Sequence, residues 1–342
     1  MEESPETNPV IDAGDQLEKF RKPMHVAAIK GDVEAIVALE KSGLDVDEVE
    51  NGQTPLHLAI IKDKTHAARK LITLGADLGK LNEGGYAALH LAAIYDSVPI
   101  IEDLINIRID SDVDILDRNG NTALHTAVLL ENVDAVCKLL DGDADTDLLN
   151  AEGNAPLHIA VLRDSVDVVR ELLRGEADTD LLNAERNAPL HIAVLRDNYD
   201  LVTELLNEGA DTDLLNAEGN APLHIAILKD NVGIVCKLLD GRADADLLNA
   251  EGNAPLHIAV LRDNADLVRE LAEEGADTGV LNDEGNAPMH IAILKDNVEI
   301  VRELLAEGAG TRLLNADGNS PLHLTTIQGN LDMIREISEY AK

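Results

Sequence analysis

The chain has 342 residues, 45% of them apolar, yet only four Tyr, one Phe and no Trp, so a core must be built from Ala, Val, Ile and Leu, which argues against large aromatic-walled cofactor pockets. Acidic residues outnumber basic ones 65 to 28, and the formal net charge of −37 repels phosphate backbones and anionic headgroups, so no nucleic acid and no membrane surface is expected as a partner. Two cysteines cannot form a disulfide framework and no apolar run approaches the ~20 residues that cross a bilayer, so a cytoplasmic chain is expected.

Residues 1–16 form a polar, acidic tail without a leader-like apolar segment. From residue 17 onward the sequence repeats itself. Ten of the eleven histidines, His25, His57, His90, His125, His158, His191, His224, His257, His290 and His323, stand at intervals of 32, 33 and 35 residues and then 33 six times. Ten units fill residues 17–342, with 17–48 and 315–342 as the terminal cap repeats, and leave no room for a separate catalytic domain.

Each unit predicts the same elements in the same order. In the fifth, Pro156 sits where a first helical turn tolerates proline, and Leu157, Ile159, Ala160, Val161 and Leu162 make a short apolar helix that Asp164 and Ser165 break. Ser165, like Asn132, Asn198 and Asn231 elsewhere, is placed to cap a second helix whose Val168, Val169, Leu172 and Leu173 share one face. The stretch A-D-T-D-L-L-N-A-E-G-N follows, with Asn150, Gly153 and Asn154 as turn formers of a projecting finger. Helices this short are not stable alone, so each unit must bury its apolar face against its neighbours.

With T-P-L-H-L-A intact at Thr54–Ala59 and G-A-D closing units at Gly75, Gly209 and Gly275, the chain resembles the ankyrin-repeat family over nearly its whole length. The resemblance implies an all-α repeat solenoid of ankyrin-type helix pairs with β-hairpin fingers, working as a protein-binding surface without intrinsic catalysis. Several positions depart from the family pattern. Ala155, Ala188, Ala221, Ala254 and Ala287 replace the capping Thr, at an expected cost of roughly 1 kcal/mol each. Arg186 replaces a finger glycine, where only Gly adopts a left-handed backbone easily, and Asp143, Glu176 and Arg242 displace the glycine that ends the second helix.

The chemistry-bearing residues read as structural. Successive histidines lie about one helix diameter of ~10 Å apart, too far to share a metal ion, so no metal and no cofactor is expected. The pairs Asp145/Asp147, Asp178/Asp180, Asp211/Asp213 and Asp244/Asp246 suit calcium only in the presence of a glycine-containing loop that is missing, and otherwise read as a solvated acidic face. A nucleophile elbow, a Walker loop and a C-x-x-C are all absent, so catalytic residues are not expected. Cys137 and Cys236, three repeats apart, are expected as buried free thiols.

The family's binding positions are the finger tips and the end of the first helix. Here they form three rows: aliphatic (Leu129, Leu162, Leu195, Leu228, Leu261, Leu294), mostly basic (Arg163, Arg196, Lys229, Arg262, Lys295, with Tyr95 and Leu130 interrupting) and acidic (Glu152, Glu185, Glu218, Glu251, Glu284, Asp317). The plainer alternative is that the aliphatic row packs between repeats and the charges pair with one another. Units five to nine are nearly identical, so specificity is expected in the diverged units, with Tyr86 and Tyr95 beside Leu129 and Leu130 as anchors and Leu162, Arg163, Glu152 and Arg196 as flanking contacts. Two extra residues between Asn106 and Asp114 are expected to alter the stack locally. The expected function is a monomeric interaction scaffold with an unidentified protein partner along its concave groove. The alternatives are a structural spacer whose ends alone bind and, more weakly, a cation-responsive acidic surface.

Overall fold

The computed structural model describes residues 20–106 and 113–340, which contain twenty helices arranged as ten helix pairs. The terminal tail and the two-residue insertion fall outside the described residues. Two compact units divide the chain, Met1–Asp178 and Thr179–Lys342.

In the first unit, the first helices Pro23–Lys30, Pro55–Ile61, Ala88–Ile94, Ala123–Leu129 and Pro156–Leu162 stack on one another in order. The second helices, from Val33–Lys41 to Val166–Arg174, form a parallel layer against them. The second unit repeats the arrangement, with first helices Pro189–Leu195, Pro222–Leu228, Pro255–Leu261, Pro288–Leu294 and Pro321–Gln328. Leu190, Ala193 and Val194 of a first helix and Leu201, Val202 and Leu205 of its partner are fully buried, so the helix spacing of 3.6 places the whole core between layers. Most of the first helix is buried, and its seven residues survive only because neighbouring repeats cover it.

Between the two helices of a pair the chain reverses through one left-handed residue, an aspartate at Asp164, Asp197, Asp230, Asp263 and Asp296 with φ of 56, 61, 55, 57 and 57°. Aspartate tolerates this region better than most side chains. At the end of the second helix Gly75, Gly209 and Gly275 are left-handed, and where the glycine is displaced, Asp143, Glu176 and Arg242 take the same conformation at 61, 62 and 71°. The displacement therefore leaves the turn unchanged and places the strain on a non-glycine residue. Arg186 likewise holds φ 58° in its finger. The finger glycine has a second reason to be small: a Cβ on Gly219 would lie 2.2 Å from Ala250 Cβ of the next finger.

The fingers are tighter than paired strands. Glu50 and Gln53 form an isolated antiparallel bridge, whereas later fingers close by Asn150 N–H donating to Asn154 O (3.0 Å) and Gly153 N–H to Asn150 O (2.9 Å). Capping also differs from the expectation. Asn198, Asn231, Asn264 and Asn297 accept from the backbone N–H three residues on, but Ser165 and Asn132 make no side-chain cap. The Asn132 amide instead donates to Ala93 O of the preceding repeat at 2.9 Å.

The Thr-to-Ala replacements remove only half of the first-helix cap. In the second repeat His57 N–H donates to Thr54 Oγ1 (3.3 Å) while Thr54 N–H donates to His57 Nδ1 (3.1 Å). Alanine has no acceptor for the first bond, but Ala221 N–H still donates to His224 Nδ1 at 3.1 Å and Ala254 N–H to His257 Nδ1 at 3.2 Å. Ala221→Thr is expected to raise unfolding stability by ~0.5–1 kcal/mol, since Thr54 and Thr122 occupy the same buried place without conflict. Urea denaturation checks this; an unchanged or lowered midpoint would mean that the histidine half of the cap already suffices.

Candidate functional site

Four sets of bonds join one repeat to the next and hold the exposed face in register. The first runs through the histidines. Their Nδ1 accepts from the N-cap N–H, so Nε2 carries the proton and donates to the chain at the following finger: across the junction for His125 to Asn154 O (3.1 Å) and His257 to Asn286 O (2.9 Å), and to the segment that leads into that finger for His57 to Lys80 O (2.9 Å) and His224 to Leu247 O (3.0 Å). Both nitrogens are used in the neutral ring, and a second proton would place a donor against a donor. Burial is the main cause that lowers their pKa, to about 4 for His57 and His125. His25 and His90 keep the Nε2 bond, to Gln53 O and Asn121 O, but their buried Nδ1 makes no hydrogen bond, that of His25 lying 3.9 Å from Glu50 Oε2.

The second set is an asparagine ladder through the finger bases. Asn249 Nδ2 donates to Asn220 Oδ1 (2.9 Å) and Asn282 Nδ2 to Asn253 Oδ1 (3.0 Å), while the Oδ1 of the donating asparagine accepts backbone N–H groups of its own finger, as Asn150 does from Glu152 and Asn154. The third consists of the aspartate pairs. Asp244 Oδ1 accepts from Asp246 N–H (2.9 Å), and Asp246 Oδ1 accepts from Asp277 N–H of the following repeat (2.8 Å). These carboxylates are hydrogen-bond acceptors that stitch repeats, not merely a solvated face, and no group of three or more metal-ligating side chains gathers among the described residues. The fourth is a backbone bond between successive fingers at several junctions, such as Ala250 N–H to Gly219 O at 3.0 Å. None of the cross-repeat pairs has a local sequence signature beyond the 33-residue recurrence of Asn and Asp.

On the outer layer the cysteines correct the expectation of burial. Both are free but only half-buried, at the place where Arg269 and Arg302 reach the next repeat's Glu303 and Glu336. Cys137 and Cys236 donate to Glu171 (3.4 Å) and Glu270 (2.9 Å) instead. Partial burial and the adjacent carboxylate raise both thiols, Cys236 to about 11, which favours the protonated form over the thiolate.

The predicted contact residues separate by position. Tyr95 and Leu130 end the first helices Ala88–Ile94 and Ala123–Leu129, which pack together, so Tyr95, Leu129 and Leu130 meet at one edge, all half-buried. Tyr86 lies at the opposite end of its helix, roughly 10 Å away along the axis. Its N–H donates to Asn82 Oδ1 (2.9 Å) and its ring tilts against His90 with centroids 6.3 Å apart. Leu162, Arg163, Glu152 and Arg196 are exposed. Arg163 pairs with Glu131 (3.2 Å), as Lys295 does with Asp263 (2.8 Å) and Arg262 with Asp230. The aliphatic row is not packed away: Leu162, Leu195, Leu228, Leu261 and Leu294 are 41, 45, 42, 45 and 52% exposed. Sequence reading had passed over a shallow groove of about 600 Å³ among the early fingers, lined by Val49, Asn51, Gly52, Leu81, Asn82, Glu83 and Arg118.

Against known proteins, a model of three ankyrin repeats matches residues 9–82, 61–150, 89–183, 128–216, 157–249, 190–280, 223–313 and 256–342. The chain belongs to the ankyrin-repeat family. Among solved structures it is similar to the ankyrin repeat domain of Bcl-3, a member of the IkappaB protein family, at 28% identity and a TM-score of 0.59 over 64% of this chain and 100% of that one. No curated protein sequence matches. Among the described residues no helix is long and apolar enough to cross a membrane.

The histidine geometry sets a pH dependence. A pKa that folding lowers means that the unfolded chain binds more protons, so stability is complete above the unfolded value of ~6.5 and falls as pH drops toward the folded value, by up to about 1.4 kcal/mol per histidine per pH unit. The same direction holds for His90, His191, His224, His257 and His290. The urea midpoint is therefore expected to fall between pH 7.5 and 5.5, where ordinary carboxylates stay ionised. A midpoint that holds or rises over that range would contradict the neutral bridging role.

Proposed function

We propose that the chain is a non-catalytic protein-interaction scaffold that takes its partner along the groove formed by first-helix ends and fingers. The observation that carries this reading is the aliphatic row, 41–52% exposed at the same register position of five successive repeats. Repeated exposure of a large apolar side chain at one register position is a surface kept for contact. The ankyrin fold and the likeness to the ankyrin domain of Bcl-3 support the same class of function. The cytosol, where free thiols persist, is the compartment that fits.

Within this groove, Tyr95 with Leu129 and Leu130 forms the aromatic-aliphatic anchor, because it replaces the charge pairs of other repeats with apolar area. Tyr86, held by Asn82 and His90, supports the finger from the other side. Leu162, Arg163, Glu152 and Arg196 are the flanking contacts.

The spacer alternative predicts that length alone matters in the uniform block. Affinity capture from the native cytosol separates the two. Leu195→Glu, Leu228→Glu and Leu261→Glu combined are expected to abolish recovery of the partner with little loss of stability, since these side chains are already exposed. Deleting the 33 residues 222–254 is expected to weaken capture at least tenfold. Undiminished capture by both variants would favour the spacer. With the partner in hand, Tyr95→Ala is expected to weaken binding tenfold or more, while Tyr86→Ala lowers thermal stability more than affinity.

A further inference from the structure

The second unit by itself narrows the chemistry of the partner, resting on the groove reading above. Its aliphatic row, Leu195, Leu228, Leu261 and Leu294, is flanked by the basic residues Arg196, Lys229, Arg262 and Lys295, and in the later repeats that charge is balanced on the spot: Arg262 pairs with Asp230 and Lys295 with Asp263. At the other end of the same seven-residue helices, roughly 10 Å across the face, the finger acids Glu218, Glu251, Glu284 and Asp317 are exposed. The face therefore offers one apolar row and one negative row, on a chain whose net charge is −37. A docked segment has to bring its own positive charge, and long basic side chains suit the span because their stems lie along apolar surface while the heads reach the acids.

The spacing of the rows selects a backbone form. Helices packed side by side stand 8–10 Å apart, which is the distance from one leucine to the next. A polyproline II chain returns to the same face every three residues, about 9.3 Å along its axis. A β-strand returns every ~6.7 Å, and an α-helix presents a near-equivalent face only after seven residues, ~10.5 Å. The first falls inside that interval, the strand well short of it, and the helix at its upper edge with seven residues spent per contact.

We propose that the second unit binds an extended, cationic polyproline II segment that places an aliphatic side chain at every third residue on the leucine row and lysine or arginine between them toward the finger acids. Each repeat then takes three residues, and the near-identity of the repeats is the counterpart of a repeated ligand.

Fluorescence anisotropy with the full chain and labelled 15-residue peptides tests this. The probes are (Pro-Leu-Lys)5, a permutation of the same composition without the three-residue spacing, (Pro-Leu-Glu)5, and a helix-forming peptide with Leu at every seventh residue and equal charge. The periodic cationic peptide is expected to bind at least tenfold more tightly than the permuted one and not detectably as the Glu version. Its affinity is expected to drop at least tenfold when Glu218→Gln, Glu251→Gln and Glu284→Gln are combined. Equal binding of the permuted peptide would reduce the effect to non-specific charge attraction and overturn the proposal, as would tighter binding of the helical peptide or no binding at all. In that last case, continued capture of a cellular partner that depends on Leu195, Leu228 and Leu261 would leave the scaffold reading standing while this inference fails.

Discussion

The bond from a buried histidine to the backbone of the next repeat is the interaction on which the rest of the structure depends. Each helix pair is too short to persist alone, so cohesion between repeats has to come from contacts that recur at every junction. Apolar burial supplies most of it but is indifferent to small slips along the stack. The imidazole is not: in His125, Nδ1 fixes the start of its own helix, Nε2 fixes the Asn154 carbonyl of the following finger, and the two together set both height and rotation of one repeat on another. The asparagine and aspartate ladders then repeat the specification further out along the finger.

This explains how the chain tolerates the alanine caps. Thr54 and Ala221 differ in whether the N-cap side chain accepts a bond, yet the histidine bridge is the same in both. A sequence in which the junction is held by the ring and not by the cap can vary the cap. The exceptions, His25 and His90, lose the Nδ1 bond and keep the one that crosses the junction, so the inter-repeat bond outlasts the capping bond when only one is present.

The ten-fold organisation and the helix pairs were legible because a histidine every 33 residues and a 3.6-residue apolar period leave clear traces in one dimension. The ladders were not, because the acceptor of Asn249 is Asn220 and that of Asp277 is Asp246, and neither pair is distinguishable from turn chemistry or a solvated charge until repeats are stacked. Equivalent positions also misled: Asn132 and Asn231 read alike, and both amides donate to the preceding repeat, but to different acceptors, Ala93 O and Asp197 Oδ1, and only the Asn231 orientation leaves Oδ1 on its own helix as a cap. Of the candidate site, the aliphatic and acidic rows were readable from register alone. The division of Tyr86 from Tyr95 needed the helix between them, which sends two residues of one unit to opposite edges.

Within each unit, the positions left exposed by this stitching are leucines at one register position and finger carboxylates at another, carried by the repeats that the polar bonds hold together. The histidine tautomer is the most direct observable of that arrangement. Long-range proton–nitrogen NMR correlation of the imidazole rings at neutral pH should find the bridging histidines neutral, with the proton on Nε2 and that proton protected from exchange. A set of rings in the Nδ1–H form, or a rapidly averaging mixture of tautomers, would contradict the account.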